Sequence, residues 1–298
     1  MSYSVDSSPS VFSSLTPTSL TAREEIFTFI NHRQKKAVIF DFERRRVNSR
    51  CIVRVIDYEK RTVSECRSRT LRFNIKSTFA PRPYEDEGIT FTGGGFTASA
   101  ITKDDTTYLI AALPDMALSD GEQGFKAQLS FTLNREDASF NQLYTKGRNT
   151  EAIHSSIAPS ASGTLIIGGR KLEIDPAEHT AQRVWKTTTF PIKRDYYSSY
   201  CYGRTSEPFS FTLSVEERKC MANIGNTLSS YDGIRMDKKS EDEYTFTDGE
   251  KVNICFSVFS TVKEKTGPFR ENRTLKYGLF GGNIASFEFS ESFGCIEL

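Results

Sequence analysis

Histidine, tryptophan and methionine are scarce in this 298-residue chain, at three, one and four. None of the histidines, His32, His154 and His179, stands at metal-ligand spacing from a cysteine or from another histidine. The six cysteines, Cys51, Cys66, Cys201, Cys220, Cys255 and Cys295, contain no C-x-x-C pair, so no structural metal is expected. Long apolar runs are missing as well. Without a stretch of about 18 such residues, no helix is expected to span a membrane. The first residues carry neither the basic region nor the apolar region of a secretory signal, so the predicted location is cytoplasmic, with the thiols free and buried.

Charge of one sign is also lacking. Thirty-nine Lys and Arg stand against 38 Asp and Glu, which excludes a globally basic nucleic-acid binder. Gly93-Gly94-Gly95 is followed by Phe-Thr-Ala-Ser rather than by Lys and Ser or Thr opening a helix, and it has no βαβ setting. It reads as a strand connection, and no cofactor is expected. No histidine lies near a Gly-x-Ser-x-Gly turn; His154 and His179 fall in predicted loops, where a solvated histidine outweighs a general base. Nothing pairs any two of the 38 acids across a cleft, so no catalytic residue is assigned.

What the chain has is aromatic residues of a particular kind, 23 Phe and 12 Tyr, set among Thr, Val and Ile. These residues suit pleated, half-buried surfaces and point to an all-β fold. One short N-terminal helix is expected, because Thr21 and Glu24 have capping-box spacing and Ile26, Phe27 and Ile30 share a helical face; the same stretch also alternates as a strand would. Beyond it, period two dominates. Strands are expected at 37–42, 51–58, 62–66, 71–76, 89–92, 96–101, 107–113 and 125–133. A second series includes a hairpin at 163–174 turning on Gly168-Gly169, then strands at 209–213, 243–246, 252–259, 275–280 and 284–289. Asp232-Gly233 and Asp248-Gly249 mark turns. The expected organisation is a Ser/Thr-rich flexible tail over 1–20, a first β domain over 21–150 and a second over 151–298.

Two local features bear on function. Between Arg33 and Lys76 there are fourteen basic and five acidic residues, whereas Thr205 to Leu298 carries eleven basic and fifteen acidic. Arg44, Arg45, Arg46, Arg50 and Arg54 could form a basic β face for phosphate, anionic lipid or single-stranded nucleic acid, although a solvated strand face needs charge in any case. The stretch from Trp185 to Gly203 holds the only Trp and four of the twelve Tyr. Tyr200 and Tyr202 alternate with Cys201, so amphipathic rings could line an apolar cavity, the alternative being an aromatic core.

The order of Tyr144-Thr-Lys146, Ser162-Gly-Thr-Leu-Ile-Ile-Gly-Gly-Arg-Lys-Leu-Glu-Ile-Asp-Pro-Ala, Trp185 with Phe190-Pro191, Tyr196-Tyr197 and Gly203 resembles the uncharacterised domain-of-unknown-function family 2804. The ending Tyr277-Gly-Leu-Phe-Gly-Gly-Asn-Ile and Gly294-Cys-Ile-Glu297 resembles that family's closing strands. The likeness covers roughly residues 140–298. Members are similar to double lipocalin-like (calycin) proteins that include carotenoid hydratases and tocopherol cyclases. The resemblance therefore implies two lipocalin-like antiparallel barrel or sandwich halves and an apolar small-molecule cavity. Acid catalysis in such enzymes needs a positioned acid in a dry pocket. The chain departs from the family there: an Asp-aromatic-Gly-Arg-Gly stretch is replaced by Val184 to Thr189, leaving Asp175 or Asp195 as substitutes.

The reading that follows is non-catalytic binding of an apolar or amphipathic small molecule against Trp185, Phe190, Tyr197, Tyr200 and Tyr202. One alternative is an acid-catalysed hydratase or cyclase on an isoprenoid, with Asp195 or Asp175 as donor. The other is an anion-binding or scaffold module built on the five arginines.

Overall fold

The computed structural model describes residues 2–5, 22–44, 48–71, 76–78, 87–132, 139–146, 149–157, 160–172, 174, 179–188, 198–204, 208–215, 218–225, 227–265 and 272–298. Among the described residues the chain is all-β, with 24 strands and no helix. The strands are β1 (Ser2–Val5), β2 (Ala22–Asn31), β3 (Lys36–Arg44), β4 (Asn48–Asp57), β5 (Thr62–Leu71), β6 (Lys76–Thr78), β7 (Glu87–Gly93) and β8 (Phe96–Lys103). Next come β9 (Thr106–Ala117), β10 (Gln123–Thr132), β11 (Ser139–Lys146), β12 (Asn149–Ile157), β13 (Ser160–Ile167), β14 (Arg170–Leu172), β15 (His179–Thr188) and β16 (Ser198–Arg204). The last are β17 (Pro208–Ser214), β18 (Lys219–Ile224), β19 (Thr227–Asp232), β20 (Arg235–Lys238), β21 (Glu243–Thr247), β22 (Val252–Lys265), β23 (Asn272–Ile284) and β24 (Phe287–Glu297).

They form three sheets from antiparallel pairs. The first has the order β1-β11-β12-β15-β2-β3-β4-β5, the second β14-β13-β10-β9-β8-β7-β6, and the third β19-β18-β17-β16-β24-β23-β22-β21-β20. Two compact units result: residues 1–56 with 63–192, and residues 57–62 with 193–298. The division thus falls at Ile192/Lys193 and not near residue 150. The reason lies in the pairing: β12 joins β11 to β15, and β15 pairs with β2, so β12 and β15 belong to the first sheet, while β13 between them pairs with β10 in the second. Of the expected tail, Ser2–Val5 pairs with β11, and 6–20 lies outside the described residues.

The expected N-terminal helix is strand β2. It is held on both sides, by β15 and by β3, and both of its faces are buried: Phe27 and Phe29 on one, Thr28 and Ile30 on the other. Ladder bonds to two neighbours and two covered faces outweigh a local capping pattern. His154 and His179 also leave their predicted loops, for β12 and β15. The closing strand expected at 284–289 is instead two: Ala285, at φ 52°, turns β23 into β24. The expected strand at 71–76 lies largely outside the described residues.

The hairpin read from Gly168-Gly169 is present between β13 and β14. Its two turn residues have φ of 55° and 76°, the left-handed pair that a two-residue connection requires. Gly93 to Gly95 closes the β7–β8 hairpin.

In the first unit the two sheets pack face to face. Phe27, Phe40 and Phe42 of the first meet Phe131, Phe125 and Phe91 of the second, with ring centroids 5.7, 5.8 and 6.2 Å apart. The core of the second unit is a cluster of Phe209, Phe211, Phe246, Phe256, Phe280 and Phe289 with aliphatic neighbours. Cys51 and Cys220 are buried, and burial raises both thiols above the ordinary range; Cys255 is exposed.

The Asp248-Gly249 turn carries a pH signature. Oδ1 of Asp248 accepts the backbone N–H groups of Glu250, Lys251 and Val252 at 2.9, 2.8 and 2.9 Å. Partial desolvation pushes this carboxyl up, but the backbone donors push it further down, so it titrates below its ordinary value. A depressed folded-state pKa contributes stability that is present above the unfolded value and lost as pH falls through the folded one. The melting-temperature gap between the wild type and Asp248→Ala should therefore narrow as the pH drops below about 4. A gap that stays constant across the acid range would show that the charge contributes nothing.

Candidate functional site

The inner face of the first sheet is set by period two. On β2 the sequence Glu25-x-Phe27-x-Phe29 points one way, and on β15 the partners are Trp185, Arg183 and Ala181 in register with these three. Beyond β2, Phe42, Phe40 and Val38 stand opposite the same residues. A carboxylate and a guanidinium therefore sit in phase with the aromatic core. Nε and Nη2 of Arg183 both bond Oε1 of Glu25, and the two side chains are 1% and 7% exposed. The guanidinium also lies 5.8 Å from the Phe27 ring centroid, a cation–π distance. Phe27 in turn contacts Phe42 and Phe131 at 6.3 and 5.7 Å. One cross-strand row thus runs His154, Trp185, Glu25, Phe42 in backbone register.

Burying two charges is costly, and the mutual attraction repays it only with good geometry. Such a pair is a weak source of stability. It does place a fixed dipole and hydrogen-bonding atoms among the core phenylalanines, which is how apolar sites orient a ligand.

The sequence-derived residues are divided between the two units. Trp185 is on β15 of the first sheet, opposite Glu25. Tyr200 and Tyr202 are on β16 of the third sheet, in register with Thr212 and Ser210, positions that alternate with the core residues Phe209, Phe211 and Leu213. Phe190, Tyr197, Asp175 and Asp195 lie outside the described residues. The aromatic stretch is continuous in sequence, but β15, which carries Trp185, and β16, which carries Tyr200 and Tyr202, belong to different sheets.

Two of the five arginines do not form an external basic face. Arg50 is turned into a buried carboxylate cluster, bonded to Glu43 and 3.7 Å from both Glu24 and Asp41. Arg54, 2% exposed, donates to Glu65 at 2.7 Å. Their charge is met inside the protein, so it is not presented to a phosphate. Arg45 and Arg46 lie outside the described residues, and Arg44 ends β3.

Sequence reasoning missed Glu25 and Arg183. The signal was the alternation itself: an acid two residues before Phe27 and four before Phe29 is in phase with the apolar face once the segment is read as a strand. The capping-box reading of Thr21 and Glu24 hid it. Among the described residues no group of three or more His, Cys, Asp or Glu is arranged to hold a metal ion, and no helix is long and apolar enough to cross a membrane.

No family model and no curated protein matches the chain. Solved structures do. Kievitone hydratase from Nectria haematococca is similar at TM-score 0.53 and 11% identity, over 93% of this chain and 87% of that one. CghA is similar at TM-score 0.53 and 10% identity, over 94% and 88%. An AttH-like protein from Nitrosomonas europaea is similar at TM-score 0.55 and 7% identity, over 93% and 92%. The chain therefore has the lipocalin-like, all-β architecture of these proteins. At such identities the likeness establishes the fold and no more.

Proposed function

We propose that the chain binds an apolar or amphipathic small molecule inside the first unit. The ligand would lie against Phe27, Phe42 and Trp185, beside the fixed dipole of the Glu25–Arg183 pair. The observation that supports this most is the ion pair itself, nine-tenths buried and in phase with the core phenylalanines. In a closed core, two well-packed aliphatic side chains often serve as well as such a pair or better. The likeness over 140–298 to domain-of-unknown-function family 2804 and a cytoplasmic setting belong to the same reading. Tyr200 and Tyr202 are not required by this site.

A second reading, acid-catalysed hydration or cyclisation of an isoprenoid-like substrate, is favoured by one feature: Glu25 supplies an interior carboxylate that the sequence had left to Asp175 or Asp195. The fold likeness to a hydratase agrees with it at the level of architecture. Oε1 of Glu25 is already engaged by Arg183, so this reading needs ligand entry to open the pair before the carboxyl group can reach a substrate.

The single Trp makes the test direct, because tryptophan emission comes from position 185 alone. Titration with farnesol should change that emission saturably, and a Glu25→Leu/Arg183→Met double variant should lose the response. Native mass spectrometry of protein purified from its own host should show a retained mass in the wild type only. An unresponsive emission together with an empty wild-type spectrum would remove the proposal.

A further inference from the structure

The inner face holds a second polar atom that the ion pair leaves unexplained. Ser49 is 3% exposed, and among the described residues its hydroxyl has no hydrogen-bond partner. It lies two residues before Cys51 on β4, and Cys51, Val53 and Val55 all belong to the core cluster, so period two places Ser49 on the inner face. Residues 45–47 join β3 to β4, which are neighbours in the first sheet, so the end of β3 and the start of β4 lie at the same end of that sheet. Phe42, near the end of β3, is the register partner of Glu25. Ser49 and the Glu25–Arg183 pair therefore share one end of the inner face. Two strand spacings of ~4.8 Å separate β4 from β2, about 10 Å between backbones.

A buried hydroxyl without a partner costs the protein its desolvation, and alanine would avoid that cost in nearly the same volume. A serine hydroxyl can donate to a carbonyl or accept from a hydroxyl, whereas a hydrocarbon offers it nothing. Resting on the binding reading above, we infer that the ligand is not a pure hydrocarbon but an apolar molecule carrying a hydroxyl or carbonyl oxygen at one end. That oxygen is held by Ser49 Oγ on the side of the face away from Arg183. Specificity for oxygenated over hydrocarbon ligands follows, because a site built to bond an oxygen discriminates strongly against the analogue that lacks it.

Farnesol and farnesene share a fifteen-carbon skeleton and differ in one hydroxyl, so they isolate this contact. Dissociation constants for both are measured by Trp185 emission on the wild type and on Ser49→Ala, with the melting temperature of each protein recorded without ligand. The wild type should bind farnesol roughly tenfold more tightly than farnesene, about one hydrogen bond's worth. Ser49→Ala should bring the ratio close to one with farnesene affinity unchanged, and its melting temperature should hold or rise by about 2–4 °C. Should the wild type bind neither molecule, the site reading fails and this inference with it. If both bind but the ratio is near one, or survives Ser49→Ala, the site stands and the oxygen contact is refuted. A lower melting temperature for Ser49→Ala would show that the hydroxyl serves the fold, and would also overturn the inference.

Discussion

Replacing Arg183 with methionine should destabilise the first unit by about 3–5 kcal/mol, the cost of leaving a buried carboxylate without its partner. Glu25 is 6% exposed and sits two residues from Phe27 on the same face of β2, so water does not reach it easily. Removing both charges together, in Glu25→Leu/Arg183→Met, should recover most of the loss or exceed wild-type stability, since well-packed apolar replacements of a buried pair are often neutral or stabilising by about 1–4 kcal/mol. Urea midpoints of the two single variants and the double variant form a complete cycle that isolates the coupling. The informative combination is a double variant that is at least as stable as the wild type yet silent in the farnesol titration. That outcome would show that the pair is kept for the ligand rather than for the fold. A single-variant cost under about 1 kcal/mol would mean that the pair behaves as a solvent-screened surface bridge.

The same pair shows what the sequence could and could not convey. Class and most strands were legible, because alternation over stretches such as Thr107 to Leu113 and Phe125 to Thr132 has one physical reading, a sheet with one covered face. Turns carrying Gly-Gly or Asp-Gly were legible for the same local reason, a backbone conformation that few residues adopt. The central strands β2 and β15 were harder. Buried on both faces, they replace clean alternation with mixed runs such as Glu25-Ile26-Phe27-Thr28-Phe29-Ile30, and there a capping pattern can pass for a helix. The unit boundary was hidden for a topological reason. Pairing of β15 with β2, more than 140 residues away, is a long-range contact that no local window contains. The arginines misled in a different way: charge density along the chain says nothing about which guanidinium turns inward, and Arg50 and Arg54 do.

Truncating Phe280 to alanine should cost the second unit about 3–5 kcal/mol, the range for deleting a fully buried phenyl ring. This ring is 0% exposed and is the hub of its cluster. It lies edge-on to Phe211 at 5.2 Å and 83°, 4.2 Å from Phe256 and 6.5 Å from Phe246. Its removal thus opens a cavity and also takes from three neighbours aromatic contacts of about 0.5–1.5 kcal/mol each. The neighbourhood has little freedom to collapse into the space. Phe256 is already pressed against Gly278, where an added Cβ would meet Phe256 Cζ at 2.6 Å and the Ser257 carbonyl oxygen at 2.3 Å. Gly278→Ala should therefore also destabilise, but by overpacking, which typically costs about 1–3 kcal/mol. Combining the two substitutions distinguishes a cavity from a rigid lattice. If Phe256 can move into the space vacated by Phe280, Gly278→Ala becomes cheaper in the Phe280→Ala background, and the double variant loses less than the sum. Far-UV circular dichroism in urea, which follows the loss of β structure, measures all three. An additive result would mean that Phe256 is fixed by contacts other than Phe280, and that the second unit's core is held by its strands rather than by the ring at its centre.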